Sequence, residues 1–134
     1  MSKYLSITAN QRPAQIGADE NNRVVFSVNF SAMAQAPVEQ WEEEIVKVLN
    51  TAGLATLGTD TFVGPTATIP TGNGPYLSIM DTGGTAPVET HDGLTYERLS
   101  VQVLIRALSY TIARTRALAV WRALKAVRNQ TVTA

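Results

Sequence analysis

The stretch YLSIMDTGGTAPVETHDGLTYERLSVQVLIR, residues 76–106, places two apolar segments on either side of a polar connection. Residues 76–80 have the composition of a short buried strand, and from 95 to 107 apolar side chains alternate with polar ones. An alternation of period two is typical of a strand with one buried face. The connection 81–94 contains four glycine or proline residues. We therefore predict two strands joined by a mobile loop.

Two further strands and two helices are predicted outside this stretch. Alternation of period two marks the strands, and apolar residues at helical spacing mark the helices. These elements are strands at 3–9 and 23–30 and helices at 37–52 and 110–129. Together they predict one α+β domain over residues 1–134. Its architecture is an antiparallel or mixed sheet of about four strands with two helices packed on one face.

Local signals add detail to these elements. Gly53 follows the first helix and is predicted to end it with a left-handed cap, and Ser109 is predicted to cap the second. Residues 54–75 are rich in threonine, glycine and proline, which predicts a long loop with one extended segment near 61–63 or 66–69. The alternation in the first strand predicts one buried face, made of Leu5, Ile7 and Ala9.

Composition excludes several classes of site. The chain has no cysteine and one histidine, His91, which removes disulfides, thiolate zinc sites, cysteine nucleophiles and multi-histidine metal sites. No apolar stretch approaches the roughly 20 residues of a membrane span, and residues 1–4 lack the apolar core of a signal peptide. We expect a soluble protein made in the cytoplasm, with no membrane association and no cofactor.

The charges are segregated although their sum is zero. All eleven acidic residues lie at or before Glu97, together with four basic ones, so this part carries −7. Residues 98–134 carry seven basic residues and no acidic ones, which gives +7. Two interpretations stay open: the two parts fold against each other, or subunits meet through oppositely charged faces.

The second interpretation selects candidate interface residues. On the predicted first helix, the candidates are the acidic residues Glu39, Glu42 and Glu43, and the run 42–44 is otherwise a solvated helix face. The basic candidates follow in the second half of the chain: Arg106, Arg114, Arg116, Arg122, Lys125 and Arg128. Arg116 falls within the apolar arc of its helix, which favours a contact with another subunit or an aliphatic stem packed on the core.

Two patterns could be mistaken for catalytic or metal sites. Asp81-Thr82-Gly83 matches the short signature of aspartic proteases, in which two aspartates share a proton across a dimer. The alternative is a turn in which the aspartate accepts local N–H groups, and the weak specificity of three residues favours it. Glu89, His91 and Asp92 are better explained as a solvated loop than as metal ligands, so we predict no catalytic and no metal site.

The order of the short motifs resembles the tail terminator and minor capsid proteins of long-tailed bacteriophages. The resemblance covers about residues 37–129 and includes the acidic helix with its Gly/Thr-rich connection. The other matching features follow in order along the chain. They are an apolar strand, the motif at 81–84, a proline-containing loop and the motifs at 96–98 and 101–103. Arg106 comes next, and Ser109-Tyr110 then opens an alanine-rich helix.

This resemblance implies a structural virion protein with no enzymatic activity. The family forms a ring, expected here to be a hexamer, at the head-proximal end of the tail. Such a ring terminates polymerisation of the tail tube and joins the tail to the head connector. The implied partners are further copies of the chain, the tail tube protein and the head connector protein, with transient, sequence-blind DNA contact in the lumen.

Other functions are compatible with the same residues. A head-completion or stopper protein of the connector would share this composition. A dimeric aspartic protease would use Asp81. A nucleic-acid-binding module would use the basic C-terminal helix and would bind DNA with a steep salt dependence.

The resemblance also indicates a circular permutation of the segment order. Residues 1–32 resemble a strand pair that closes the family's chains, yet here they come first. Residues 33–37 would then be the original start, and residues 131–134 would lead into 3–7. A permutation requires the two chain ends to lie close together. The alternative is an N-terminal arm that pairs with a neighbouring subunit.

Overall fold

A computed structural model describes residues 2–18, 23–35, 38, 41–64, 74–89, 91 and 93–132 of the chain. Within these residues the chain forms seven strands and two helices. In order they are β1 (Ser2–Ala9), β2 (Ala14–Ala18), β3 (Val24–Gln35), α1 (Trp41–Thr51), β4 (Thr61–Val63), β5 (Tyr76–Glu89), β6 (Thr95–Ala107), α2 (Tyr110–Lys125) and β7 (Arg128–Val132).

The strands form one curled mixed sheet in the order β4-β5-β6-β3-β1-β7, with β2 paired to β3. Strand β4 runs parallel to β5, and the other pairs are antiparallel. The α+β class is confirmed, whereas the prediction of about four strands is wrong. The strands beyond those four are β2, β4 and β7, and each has only three to five residues. The prediction had allowed β4 only as an extended segment within the 54–75 loop.

Alternation along the central strands directs one face of the sheet into the core. Phe26, Val28 and Phe30 of β3 are buried opposite Ile105, Val103 and Val101 of β6. Buried side chains of both helices belong to the same hydrophobic cluster. They are Trp41, Ile45, Val46 and Leu49 of α1 and Ala113, Ala117, Val120 and Leu124 of α2. The small side chains of α2 allow the helix to lie close to the strands.

Strand β5 overturns the predicted 81–94 loop. The strand continues through residues 81–89, which pair with β6 through two β-bulges, between Asp81 and Gly83 and between Thr85 and Val88. A bulge inserts an extra residue into one strand without ending the pairing. Glycine and proline therefore mark irregular pairing here and not the end of the strand.

The second helix is shorter than predicted. Helix α2 ends at Lys125, and residues that we expected to be helical form β7 instead. Ser109 occupies the N-cap position, but its hydroxyl makes no capping hydrogen bond. Ile112, an apolar residue in the first turn of α2, is half exposed.

Among the other local predictions, those for Gly53 and for residues 61–63 are confirmed, and that for the buried face of β1 is wrong. Gly53 has a φ of +76°, and the N–H of Leu54 bonds the carbonyl of Leu49, which confirms the cap of α1. The extended segment at 61–63 is confirmed as β4, and 66–69 lies outside the described residues. In β1 the buried side chains are Tyr4 and Ile7, because a bulge between Tyr4 and Ser6 breaks the expected alternation.

The two ends of the described chain lie on neighbouring strands. Ser2 pairs with Val132 and Lys3 with Thr131 in the antiparallel β1–β7 ladder. This adjacency meets the geometric requirement of a circular permutation, which itself stays a prediction. A start at Met33 falls inside β3, two residues before its end at Gln35. Strand β1 pairs with β3 and β7 of its own chain, and a swapped arm is not needed to explain it.

Candidate interaction surfaces

An acidic patch, made of Glu42 and Glu43 of α1 and Asp81 of β5, forms where the helix packs on the strand. The Glu42 carboxylate accepts a hydrogen bond from the backbone of Asp81. Burial raises the pKa of Glu42, the bond to Asp81 opposes this rise, and the charges of Glu43 and Asp81 add to it. The charges of Glu43 and Asp81 thus repel that of Glu42, and a basic side chain of a neighbouring subunit would relieve this repulsion. Glu39, the remaining acidic candidate, lies outside the described residues.

Glu44 contradicts the prediction of a solvated face for residues 42–44. Its side chain is 1% exposed, and its Oε2 accepts a hydrogen bond of 3.4 Å from the Tyr4 hydroxyl. The Tyr4 ring also contacts Trp41, with ring centroids 5.4 Å apart. Position 44 lies one turn after Trp41 and next to Ile45, so helical spacing places it on the buried stripe. Because residues 42–44 are all glutamate, composition alone does not distinguish the buried position 44 from positions 42 and 43.

The free energy of unfolding is expected to fall at alkaline pH because of Tyr4. Burial and, next, the charge of Glu44 raise the pKa of Tyr4 far above its ordinary value near 10. The folded chain keeps this proton, whereas the unfolded chain loses it above pH 10. The stabilisation is complete below pH 10 and declines above it by up to about 1.4 kcal/mol per pH unit.

Urea unfolding of the wild type and of Tyr4→Phe between pH 8 and 11.5 measures this contribution. We expect the difference between the two free energies to be constant up to pH 10 and to shrink above it. A difference that stays constant to pH 11.5 would contradict the assignment to Tyr4.

A basic face runs along α2, defined by the exposed residues Arg114, Arg122 and Lys125. The ammonium group of Lys125 lies 4.0 Å from the centroid of the Trp121 ring. The guanidinium of Arg12 lies 5.4 Å from the same centroid and extends the basic face beyond the helix. Sequence reasoning missed Arg12, because it belongs to the connection between β1 and β2, within the acidic part of the chain.

The other three basic candidates make contacts within their own chain. Arg116 donates a hydrogen bond of 2.6 Å to the carbonyl of Leu54, which joins α2 to the end of α1. Arg128 donates to the carbonyls of Ile7, Lys125 and Val127. The Arg106 guanidinium stands 5.5 Å from the Tyr76 ring centroid. These arginines have structural contacts that explain their presence without a second subunit.

Exposed apolar side chains lie beside the basic face. Leu108, Tyr110 and Ile112, at the junction of β6 and α2, are 55%, 51% and 49% exposed. The Tyr110 ring touches Phe26 at a centroid distance of 5.4 Å, so the core supports one side of it. Tyr110 precedes Arg114 by one helical turn, and tyrosine and arginine together are typical of the anchors of protein interfaces. We call these three residues the apolar corner.

The Asp81-Thr82-Gly83 motif has the geometry of a local turn. The Asp81 carboxylate accepts a hydrogen bond of 2.7 Å from the N–H of Gly83, whose φ is +96°. Glu89 and His91 are exposed, and Asp92 lies outside the described residues. The part of the chain that the structure describes holds no group of three or more histidine, aspartate or glutamate residues placed to bind a metal.

Comparison of the chain with protein-family models, with curated proteins and with solved structures finds no match in any of the three. Neither described helix has the length and apolar character that a membrane crossing needs. The surfaces above therefore have to be interpreted from their own chemistry.

Proposed function

We propose that this chain is a structural protein of a long-tailed phage virion that assembles into a homo-oligomeric ring. The observation that carries the proposal is the separation of the two charged surfaces in the fold. The acidic patch lies where α1 meets β5. The basic face lies on the exposed side of α2, whose other side packs on β3, β1 and β6 and also contacts α1. Arg116 and Arg128 donate hydrogen bonds to backbone carbonyls, and the Arg106 guanidinium lies over the Tyr76 ring.

Two different, complementary surfaces suit a head-to-tail contact. When each subunit presents its acidic patch to the basic face of the next, the contact repeats and closes into a ring at a suitable rotation. The apolar corner adjoins the basic face and supplies area that such a contact can bury. Charge complementarity orients the subunits, and the apolar residues contribute affinity.

The position proposed for this ring in the virion rests on the resemblance of the motif order to phage tail terminator proteins. We propose a hexamer at the head-proximal end of the tail, in the neck of the virion. There the ring stops polymerisation of the tail tube and joins the tube to the head connector, and DNA passes through its lumen. The pairing of Ser2 with Val132 supports the permuted segment order on which this resemblance depends.

Native mass measured at low and high salt tests the ring. We expect a discrete oligomer at low salt that dissociates at high salt, because the screening length falls from about 10 Å at 0.1 M to about 3 Å at 1 M. Arg122→Glu and Glu43→Arg each place like charges across the contact, and each variant alone is expected to be monomeric. Lys3→Glu reverses an exposed charge outside both surfaces and is the matched control.

Mixing the two variants gives the sharpest result. In an alternating ring, the reversed patch of one variant meets the reversed face of the other, and every second contact is the wild-type one. Equimolar Arg122→Glu and Glu43→Arg are therefore expected to restore the oligomer. A wild type that is monomeric at every concentration, or a dimer insensitive to salt, would contradict the proposal.

A further inference from the structure

A trough of about 230 Å³ lies on the sheet, on the face turned away from the core. Ser31 and Ser100 are register partners between the pairs Phe30–Val101 and Ala32–Leu99, so their side chains point away from the buried face. Serine and threonine residues from four strands line it together with one basic residue, Arg98. The lining residues are Ser6, Thr8, Ser31, Ala32, Met33, Thr85, Arg98, Leu99 and Ser100. We call this feature the hydroxyl trough.

Irregular backbone positions surround the hydroxyl trough. The bulge in β1 precedes Ser6, and the two bulges in β5 stand on either side of Thr85. Gly84 has a φ of +152°, and a Cβ there would collide with the carbonyl oxygen of Arg98. This close approach sets Thr85 opposite Arg98 in the ladder. Bulges redirect side chains and are frequent beside functional sites, and here each one adjoins a hydroxyl of the trough.

The charge of the hydroxyl trough has one sign. Arg98 is the ionisable residue among its lining residues, and none of them is a carboxylate. Glu97 lines an adjoining cavity of about 250 Å³, which Thr85 and Arg98 also line. The Glu97 Oε2 already accepts a hydrogen bond of 2.9 Å from the N–H of Val38. The Ser31 hydroxyl donates a hydrogen bond of 3.0 Å to the Asn10 side-chain oxygen.

We propose that the hydroxyl trough binds a phosphate group. A guanidinium gives charge-assisted, directional hydrogen bonds to phosphate oxygens, and Ser6, Thr8, Thr85 and Ser100 present further donors around it. The phosphate can come from free inorganic phosphate or from a phosphodiester backbone, since both present the same oxygens. The proposal does not depend on the ring, because the trough is built within one chain.

Amide chemical shifts recorded during a titration with inorganic phosphate test the site, against chloride at equal ionic strength. We expect saturable shifts confined to the strand segments around the trough. Arg98→Gln is expected to weaken binding at least about tenfold, which corresponds to one charge-assisted hydrogen bond. Arg98→Lys keeps the charge but lacks the planar guanidinium that can bond two phosphate oxygens at once, and is expected to bind with intermediate affinity. Lys47→Gln removes an exposed positive charge on α1, outside the trough and the basic face, and is the control.

A second titration distinguishes the two sources. A short single-stranded oligonucleotide that shifts the same amides, and loses affinity in Arg98→Gln, would assign the site to a phosphodiester. Shifts with inorganic phosphate alone would assign it to the free ion. Shifts spread over the basic face of α2, or equal affinity in Arg98→Gln and the wild type, would overturn the proposal. Native mass is measured on the same samples, so failure of the ring and failure of this site are separate results.

Discussion

Replacing Tyr4 with alanine is expected to lower the free energy of unfolding by about 3–5 kcal/mol, the range for removing a fully buried aromatic side chain. Tyr4 has no exposed surface, contacts Trp41 and donates its hydroxyl to Glu44. The substitution leaves a cavity and also deprives a buried carboxyl group of a donor. Domains of this size are stable by about 5–15 kcal/mol, so the substitution would remove a substantial fraction of the total stability.

Urea unfolding monitored by circular dichroism measures this loss, and two variants show its origin. Tyr4→Phe keeps the ring and removes only the hydroxyl, for which we expect a loss of about 1–3 kcal/mol. Tyr110→Ala removes an exposed tyrosine and should cost about 1 kcal/mol or less. Equal losses for Tyr4→Ala and Tyr110→Ala would contradict the buried position of Tyr4.

The parts of the fold that sequence predicts are those in which one regular pattern decides the structure. Strand β6 has the predicted bounds of 95–107, because its alternation continues without a break over the whole strand. Strand β3 begins at Val24, one residue after the predicted start of the 23–30 strand, and extends it to Gln35. Gly53 ends α1 as predicted, since a left-handed cap is a local requirement. The α+β class follows from these elements alone.

The misplaced parts depend on pairing between distant segments. Strand β7 has five residues and exists as a ladder with β1, about 125 positions earlier, which no local pattern records. A bulge shifts the face on which the following side chains of a strand lie. The bulge in β1 explains why regular alternation predicts Leu5 in the core, where the structure buries Tyr4. Short edge strands and bulges are set by tertiary pairing and not by propensity.

The same distinction applies to the candidate surfaces. The exposed basic residues of α2 were predicted from helical spacing, and Arg114, Arg122 and Lys125 are exposed. The contacts of Arg116 and Arg128 with backbone carbonyls needed the fold, because their acceptors include the distant Leu54 and Ile7. The hydroxyl trough draws on four strands, and serine and threonine on a strand give no signal of their own in the sequence.

Gly84→Ala is expected to lower the free energy of unfolding by about 2–6 kcal/mol. A positive φ strains any residue with a Cβ by about 1–3 kcal/mol, and the collision with the Arg98 carbonyl adds about 1–3 kcal/mol of overpacking. The neighbouring Gly83 provides a matched control. Its φ is +96°, yet nothing lies within 4 Å of the position of its Cβ. Gly83→Ala should therefore show the strain alone.

The difference between the two alanine variants isolates the close approach of β5 to β6. Urea unfolding gives the loss of stability, and amide hydrogen exchange shows where it occurs. We expect Gly84→Ala to speed hydrogen exchange at the amides that pair residues 83–89 with β6, because a two-stranded ribbon is marginal without close pairing. Amides in the buried part of β3 should stay protected from exchange. The same variant should lose phosphate binding, since Thr85 would no longer lie opposite Arg98. Equal effects of Gly83→Ala and Gly84→Ala would mean that backbone strain, and not the contact with Arg98, requires glycine here.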